Sequence, residues 1–385
     1  MNAIVRNMEA YREDMTRWFT HLHSHPELSM QERDTSHFIA ELLRSWGYDV
    51  AEGVGRHGVV ASMTVGSGGA AIGLRADVDA LPIQEANDLP YKSRTPGVSH
   101  LCGHDGHTTM LLGAAKYLAD RRTFSGTVRL IFQPGEETME GAPAMIADGL
   151  FDRFPVDAVF GLHNMPGLEK GRFHFAAGEV MAAVDNWDIE LTGKGGHGSM
   201  PEHSIDPVVA GASLVMALQT IVSRNVSPQN RAVVTVGAFL AGNAGNVIPQ
   251  SACLRLSIRT TTPEDRDLVL ARVRATARAQ AESFGCALTI REGQPGAVLV
   301  NDAGETQRAC DIARAAFGDA NVVFPGPTFL GSEDFAFMLQ ARKGTYCFIG
   351  NGNTKMVHHP EYVFDQDILP IGAAYWVALT EAMLK

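Results

Sequence analysis

The stretch between about Ala182 and Gly293 constrains the whole chain, because it reads as a unit able to close on itself. Apolar runs at Trp187 to Thr192, Ala232 to Leu240, Ala252 to Thr260 and Ala287 to Arg291 predict four strands. The helical spacing of Pro207 to Val222 and Glu264 to Phe284 predicts two helices between them. The order βαββαβ is the split, ferredoxin-like arrangement, a small sheet with two helices on one face. Everything outside it must then fold as one domain made from two separated pieces of chain.

Those flanking pieces read as α/β. Apolar residues at helical spacing predict helices from Ile4 to His23, stopped near Pro26, and from Asp34 to Trp46, stopped by Gly47. Short apolar runs at Val59 to Val65, Ala71 to Ala76, Thr127 to Phe132 and Val156 to Leu162 predict buried strands, with a helix at His107 to Ala119. Gly66-Ser67-Gly68-Gly69 reads as a hairpin turn between the first two runs. After the inserted unit come a helix near Ala303 to Phe317, a strand at Thr345 to Gly350 and a closing helix near Ile371 to Leu384. The expected fold class is α/β with a central mixed sheet, formed by residues 1–181 and 294–385 and interrupted by 182–293. A chain of 385 residues also exceeds one ordinary core.

Composition excludes several classes of partner. With 43 acidic against 32 basic residues, the net charge of −11 repels a phosphate backbone, and no basic cluster offsets it, so no nucleic-acid partner is expected. Five cysteines at irregular spacing argue against a disulfide framework and for a reducing, cytoplasmic setting. The N-terminal segment is interrupted by Arg6, Glu9, Arg12, Glu13, Asp14 and Arg17, unlike a signal peptide, and no apolar run approaches the roughly 20 residues of a membrane helix.

Chemistry-bearing residues gather at predicted strand ends. Asp77 and Asp79 follow one strand, Glu136 and Glu137 the next, His163 closes a third, and His358 and His359 follow the last. Open α/β sheets bind ligands at that rim. Cys102-Gly103-His104-Asp105-Gly106-His107 adds a thiol and two imidazoles at a helix start, with Gly103 letting the chain bend so that Cys102 and His104 face one ion. One thiol, several imidazoles and paired carboxylates suit zinc, with manganese, cobalt or nickel possible at the same donors. Glu136 and Glu137, being adjacent, must point apart. One can hold a metal while the other takes a proton from water and delivers it to a leaving group. His107 is expected to support the site.

The motifs Cys102-Gly103-His104-Asp105-Gly106-His107, Gln133-Pro134-Gly135-Glu136-Glu137, Gly161-Leu162-His163-Asn164, Gly196-His197-Gly198-Ser199-Met200-Pro201, Asn246-Val247-Ile248-Pro249, Gly331-Ser332-Glu333-Asp334-Phe335 and Val357-His358-His359-Pro360 span nearly the whole chain. Together they closely resemble metal-dependent amidohydrolases such as hippurate, N-acyl-amino-acid and indole-acetyl-amino-acid hydrolases, within the aminoacylase and carboxypeptidase superfamily. The resemblance implies a catalytic domain with an inserted lid and dimerisation domain. It implies one or two divalent ions held by Cys102, His104, Glu137, His163 and His358, and Glu136 as general base and acid. His358 is preferred over His359 because the family's ligand stands first. His197 and Asn246 are implied contacts to the scissile carbonyl or the substrate carboxylate, with Arg259 a weaker one, in a homodimer or homotetramer. The implied reaction is hydrolysis of the amide of an N-acyl amino acid. The alternatives are a dipeptidase or carboxypeptidase, a cysteine hydrolase using Cys102 with His104 or His107, and a binding protein on the same fold.

Overall fold

The structure, a computed structural model, describes residues 3–385. The chain forms two compact units. Unit 1 is built from the chain up to Val180, from Val300–Thr328 and from Asp334–Lys385, and unit 2 from Met181–Leu299 and Phe329–Glu333.

Unit 1 begins with α1 (Ala3–Met8), α2 (Arg12–Ser24), α3 (Arg33–Ser45), β1 (Asp49–Val54), β2 (Gly58–Val65) and β3 (Ala71–Asp77). It continues with α4 (His104–Arg121), β4 (Gly126–Gln133), α5 (Gly141–Ala147), α6 (Leu150–Arg153), β5 (Ala158–Met165), β6 (Phe173–His174) and β7 (Gly178–Met181). Next come β8 (Ala183–Thr192), β9 (Gly196–His197), α7 (Pro207–Asn225), β10 (Ala232–Ala241), β11 (Val247–Ile248), β12 (Ser251–Thr260), α8 (Pro263–Ser283) and β13 (Ala287–Glu292). The chain closes with β14 (Leu299–Asn301), α9 (Ala303–Phe317), β15 (Val322–Val323), α10 (Phe335–Ala341), β16 (Gly344–Gly350) and α11 (Leu369–Met383).

The sheet of unit 1 has eight strands in the order β1-β2-β4-β3-β5-β16-β6-β15. β4, β3, β5 and β16 run parallel to one another, so their carboxyl ends share one rim. β16 is buried along its length, as a strand covered on both faces must be. Helices α4 and α11 supply Met110, Leu111, Leu118, Trp376 and Leu379 to the same core. α3 forms because Ile39, Ala40 and Leu43 fall at helical spacing and are buried. Its amino end is capped from a distance, since the Glu27 carboxylate accepts from the Asp34 and Thr35 amides at 3.2 and 2.8 Å.

The hairpin expected at Gly66 to Gly69 is not formed, because β4 lies between β2 and β3 in the sheet. The loop instead passes the start of β4, where the Gly68 amide donates to Ser125 Oγ at 3.0 Å. Strand β1 escapes sequence detection because only Val54 of its six residues is buried, leaving no apolar run.

Within unit 2 the strands run β10-β12-β8-β13, all neighbours antiparallel. Trp187, Ile189 and Leu191 of β8 and Leu254, Leu256 and Ile258 of β12 point to one face and pack with Leu214, Leu218 and Val273 from the two helices. α7, at 19 residues, is long and apolar enough by composition to span a membrane, which the sequence pattern did not anticipate. Its Leu214, Leu218 and Ile221 are buried in the core of unit 2.

Candidate metal centre

Five candidate metal donors and the carboxylate of Glu136 converge above the rim of the unit 1 sheet. The turn after β4 carries Glu136 and Glu137, β5 carries His163, the loop after β16 carries His358, and the start of α4 carries Cys102 and His104. Gly103, between the last two, has φ of +100°, a conformation side-chain-bearing residues avoid. A Cβ there would also lie 2.2 Å from Asn164 Oδ1 and 2.8 Å from the Tyr362 hydroxyl.

The donor atoms of Cys102, His104 and His163 lie within 4.8 Å of one another, as do those of Cys102, Glu137 and His358, and of His104, Glu136 and Glu137. Cys102 Sγ is 3.4 Å from His163 Nε2, and Glu137 Oε1 is 3.3 Å from His358 Nε2 and 3.9 Å from His104 Nε2. His358 adopts φ of +68°, and its amide donates to the Leu101 carbonyl at 2.7 Å. That strained backbone turns His358 toward Glu137. His359 faces its own loop, where Nδ1 accepts from the Glu361 amide at 3.0 Å.

The far side of each imidazole is fixed. His104 Nδ1 donates to Asp79, 3.0 Å from its carbonyl and 3.1 Å from its carboxylate, and His163 Nδ1 donates to the Asn164 carbonyl at 2.5 Å. In the neutral ring this leaves the lone pair on Nε2, the tautomer a metal ligand needs. His107 is different, because Nδ1 meets Asp77 Oδ1 at 2.6 Å and Nε2 meets Asn164 Oδ1 at 2.7 Å. With both nitrogens engaged it supports the site and has none to spare as a base.

Two buried atoms test whether a cation fits. His104 Nε2 and Glu137 Oε1 have no hydrogen-bond partner although both are shielded from water. Buried polar atoms are almost always paired, and an ion between these two would satisfy both. Burial, then the nearby Glu137 charge, pushes the Cys102 thiol well above its ordinary value. A thiol held protonated is a poor nucleophile, whereas a cation binds the thiolate and removes that penalty. The residues present therefore fit a divalent metal.

Behind the donors is a layer of charge that sequence reading did not place. Arg75 is fully buried, donating to Gln133 Oε1 at 2.9 Å, Asp77 Oδ2 at 2.7 Å and Asp334 Oδ1 at 3.2 Å. Asp334 also accepts from the Ala142 amide and the Gln133 amide group, at 2.8 and 2.7 Å. Asp77 is held well below the usual carboxylate range: burial opposes ionisation, and the charges of His104, Arg75 and His107 override it. The available signal was an arginine inside the apolar strand Ala71–Asp77, where only a paired charge is tolerated.

In unit 2, β9 and β11 pair His197 with Val247, and the Gly198 amide donates to the Asn246 carbonyl at 2.9 Å. His197 and Asn246 are thus brought onto one small ribbon. His197 Nδ1 accepts from the Ser199 amide and lies 2.8 Å from its hydroxyl. Arg259, on β12, is set apart from that ribbon and donates to the Leu330 carbonyl at 2.7 Å and to Ser332 Oγ at 3.3 Å.

Comparison with known proteins gives consistent relatives. The family model described as peptidase family M20/M25/M40 matches residues 73–382. The chain is 43% identical over 364 residues to a hippurate hydrolase of Campylobacter jejuni, covering 94% of this chain and 95% of that one. It is 39% identical over 358 residues to an N-acetyl-L-cysteine deacetylase of Bacillus subtilis, covering 93% and 85%. A solved dinuclear metal-binding peptidase of Bacillus subtilis superposes with a TM-score of 0.84 at 32% identity, covering 98% of this chain and 99% of that one.

Proposed function

The chain belongs to peptidase family M20/M25/M40, and from that membership we propose that it hydrolyses the amide of N-acyl amino acids, releasing a carboxylic acid and a free amino acid. The observation that carries the proposal is the pair of buried, unpartnered atoms His104 Nε2 and Glu137 Oε1, 3.9 Å apart among further thiol, imidazole and carboxylate donors. The relatives named for hippurate and N-acetyl-cysteine supply the substrate class.

Cys102, His104, Glu137, His163 and His358 are the proposed ligands of two ions, chosen from zinc, manganese, cobalt and nickel. Two is supported by the division of these donors into Cys102–His104–His163 and Cys102–Glu137–His358, which share only the thiol. When bound, the ions supply Lewis-acid polarisation of the scissile carbonyl and acidify the attacking water. Asp79 and the Asn164 carbonyl hold His104 and His163 in the ligating tautomer. Glu136, beside Glu137 on the same turn, takes the proton from water and returns it to the leaving nitrogen. His197 and Asn246 donate to the scissile carbonyl or the substrate carboxylate, and Arg259 is a further candidate for that carboxylate.

A chelator should abolish release of amino acid from hippurate, N-acetyl amino acids and dipeptides alike, and divalent metal should restore it. Glu136→Ala should lower kcat by about 100-fold or more with metal still bound. Full activity of that variant on every substrate would remove Glu136 from its role, and activity that survives the chelator would remove the metal.

A cytoplasmic homodimer joined through unit 2 is also proposed. Its support is five free cysteines and the exposed apolar side chains Val208, Val209 and Met216 on α7 and Phe239 and Leu240 on the edge strand β10. Sedimentation should give twice the chain mass, falling to one after Met216→Lys with Phe239→Lys; a monomeric wild type would reject it.

A further inference from the structure

A carboxylate far from the five donors in sequence touches the turn that carries two of the reacting groups. Glu32 stands just before α3 with its side chain wholly buried. A residue there normally turns its side chain back to cap its own helix. Glu32 does not, because Glu27 already accepts from the Asp34 and Thr35 amides. Its Oε1 instead accepts from the Met30 amide and from the Gly135 amide, each at 2.8 Å. Gly135 is the residue before Glu136.

The same turn is held a second time. Asp79 Oδ2 accepts from the Glu137 amide at 3.0 Å and from Ser29 Oγ at 2.7 Å. Ser29, Met30 and Glu32 are therefore fastened to both ends of the Gly135–Glu137 segment. Packing adds to this, since Gly135 has φ of +62° and a Cβ there would sit 2.5 Å from Met30 Sδ, with Met30 itself at φ +61°. The arrangement is costly for stability alone. Glu32 Oε2 is buried with no hydrogen-bond partner, and burial, then the charge of Asp79, pushes the carboxyl up to about 7.

We propose that Glu32 is a positioning residue for the hydrolytic reaction: its Oε1 holds the Gly135 amide and, with Asp79 on the Glu137 amide, sets where the Glu136 and Glu137 carboxylates stand. This rests on the roles proposed above for that pair. The Met30 amide and Met30 side chain make the segment before α3 part of the same support. Positioning through an acceptor atom makes a specific demand on variants. Glutamine keeps the acceptor and loses only the charge, whereas alanine strands two amides and frees the turn.

The test is Glu32→Ala, Glu32→Gln and Glu32→Asp in the metal-loaded full chain, with kcat and KM measured on an N-acyl amino acid and zinc affinity measured separately by chelator competition. Glu32→Ala should lower kcat about 10- to 100-fold with KM within about threefold, and weaken zinc by about tenfold, the usual loss for a group that supports a ligand. Glu32→Gln should restore both to within about threefold. Wild-type kcat and zinc affinity in Glu32→Ala, or Glu32→Gln no better than alanine, would overturn the proposal. Should Glu32→Ala fail to fold, Glu32→Asp, whose acceptor is one methylene short, should show the losses instead, and its matching the wild type would equally overturn it. The zinc measurement is independent of substrate and base, so it still reports on Glu32 if Glu136→Ala proves active.

Discussion

Asp79 serves two donors with one carboxylate, fixing the ring of His104 through one oxygen and the backbone of Glu137 through the other. Its value lies in joining a helix start to a strand-end turn, which no short motif can express. Gly103 is demanding in another way, because a left-handed backbone and two close neighbours exclude any side chain. Asn164 cannot withdraw, since His107 and Tyr362 both hold it. Gly103→Ala should therefore cost at least the roughly 1–3 kcal/mol of a disfavoured φ and also displace Cys102 from His104. A lower Tm with zinc bound substoichiometrically is the expected result, and a wild-type melt with full zinc would contradict it. At this scale the candidate donors could be picked out because each stands in a short motif near a strand end or a helix start. Arg75 and Glu32 could not, because their partners are distant in sequence: Arg75 meets Asp334, and Glu32 meets Gly135.

Elements are joined here by buried charge as much as by apolar packing. His23, near the end of α2, sits 2.7 Å from Asp105 in the first turn of α4 and 3.3 Å from Glu85. Burial alone would lower its pKa, but hydrogen bonds to the two carboxylates and their charges outweigh it and raise the group to about 9. A raised folded value means that the protonated form stabilises the fold. The contribution is fully present below the unfolded value near 6.5 and is lost as pH climbs through about 9. The rise corresponds to on the order of 3 kcal/mol. The difference in unfolding free energy between wild type and His23→Gln should be large at pH 6 and shrink towards zero above about pH 9; a difference constant over that span would exclude the linkage. The long helices and the buried strands followed from periodicity and apolar runs, because burial imposes them, whereas β1, with one buried residue, did not. The Gly66–Gly69 connection did not, because the strand that separates its neighbours arrives some 50 residues later in the chain, at Gly126–Gln133.

At the scale of the molecule, all five proposed ligands belong to unit 1 and none to unit 2. Metal binds only the folded form of the unit that holds the donors, so it stabilises that unit by mass action, by about 2.7 kcal/mol at a hundredfold excess over Kd. Hydrogen exchange should slow on zinc addition in β3, β4, β5 and β16 and stay unchanged in β8, β10 and β12. Equal slowing in both units would show that they open together. The four long strands and two helices of unit 2 follow one another in the chain, broken only by the short β9 and β11, and pack a core of their own.

The position of β16 carries a consequence for biosynthesis. It lies between β5 and β6, two strands synthesised well before it, and the loop that follows it bears His358. On a ribosome the flank of β5 stays open while the whole of unit 2 is made, and four of the five ligands wait for the last. Assembly of the large sheet and capture of metal are therefore late events, completed only once the chain from Gly344 onward emerges. A nascent chain of this design makes everything between Met165 and Gly344 with that strand edge exposed, when chaperones and stray partners have their opportunity.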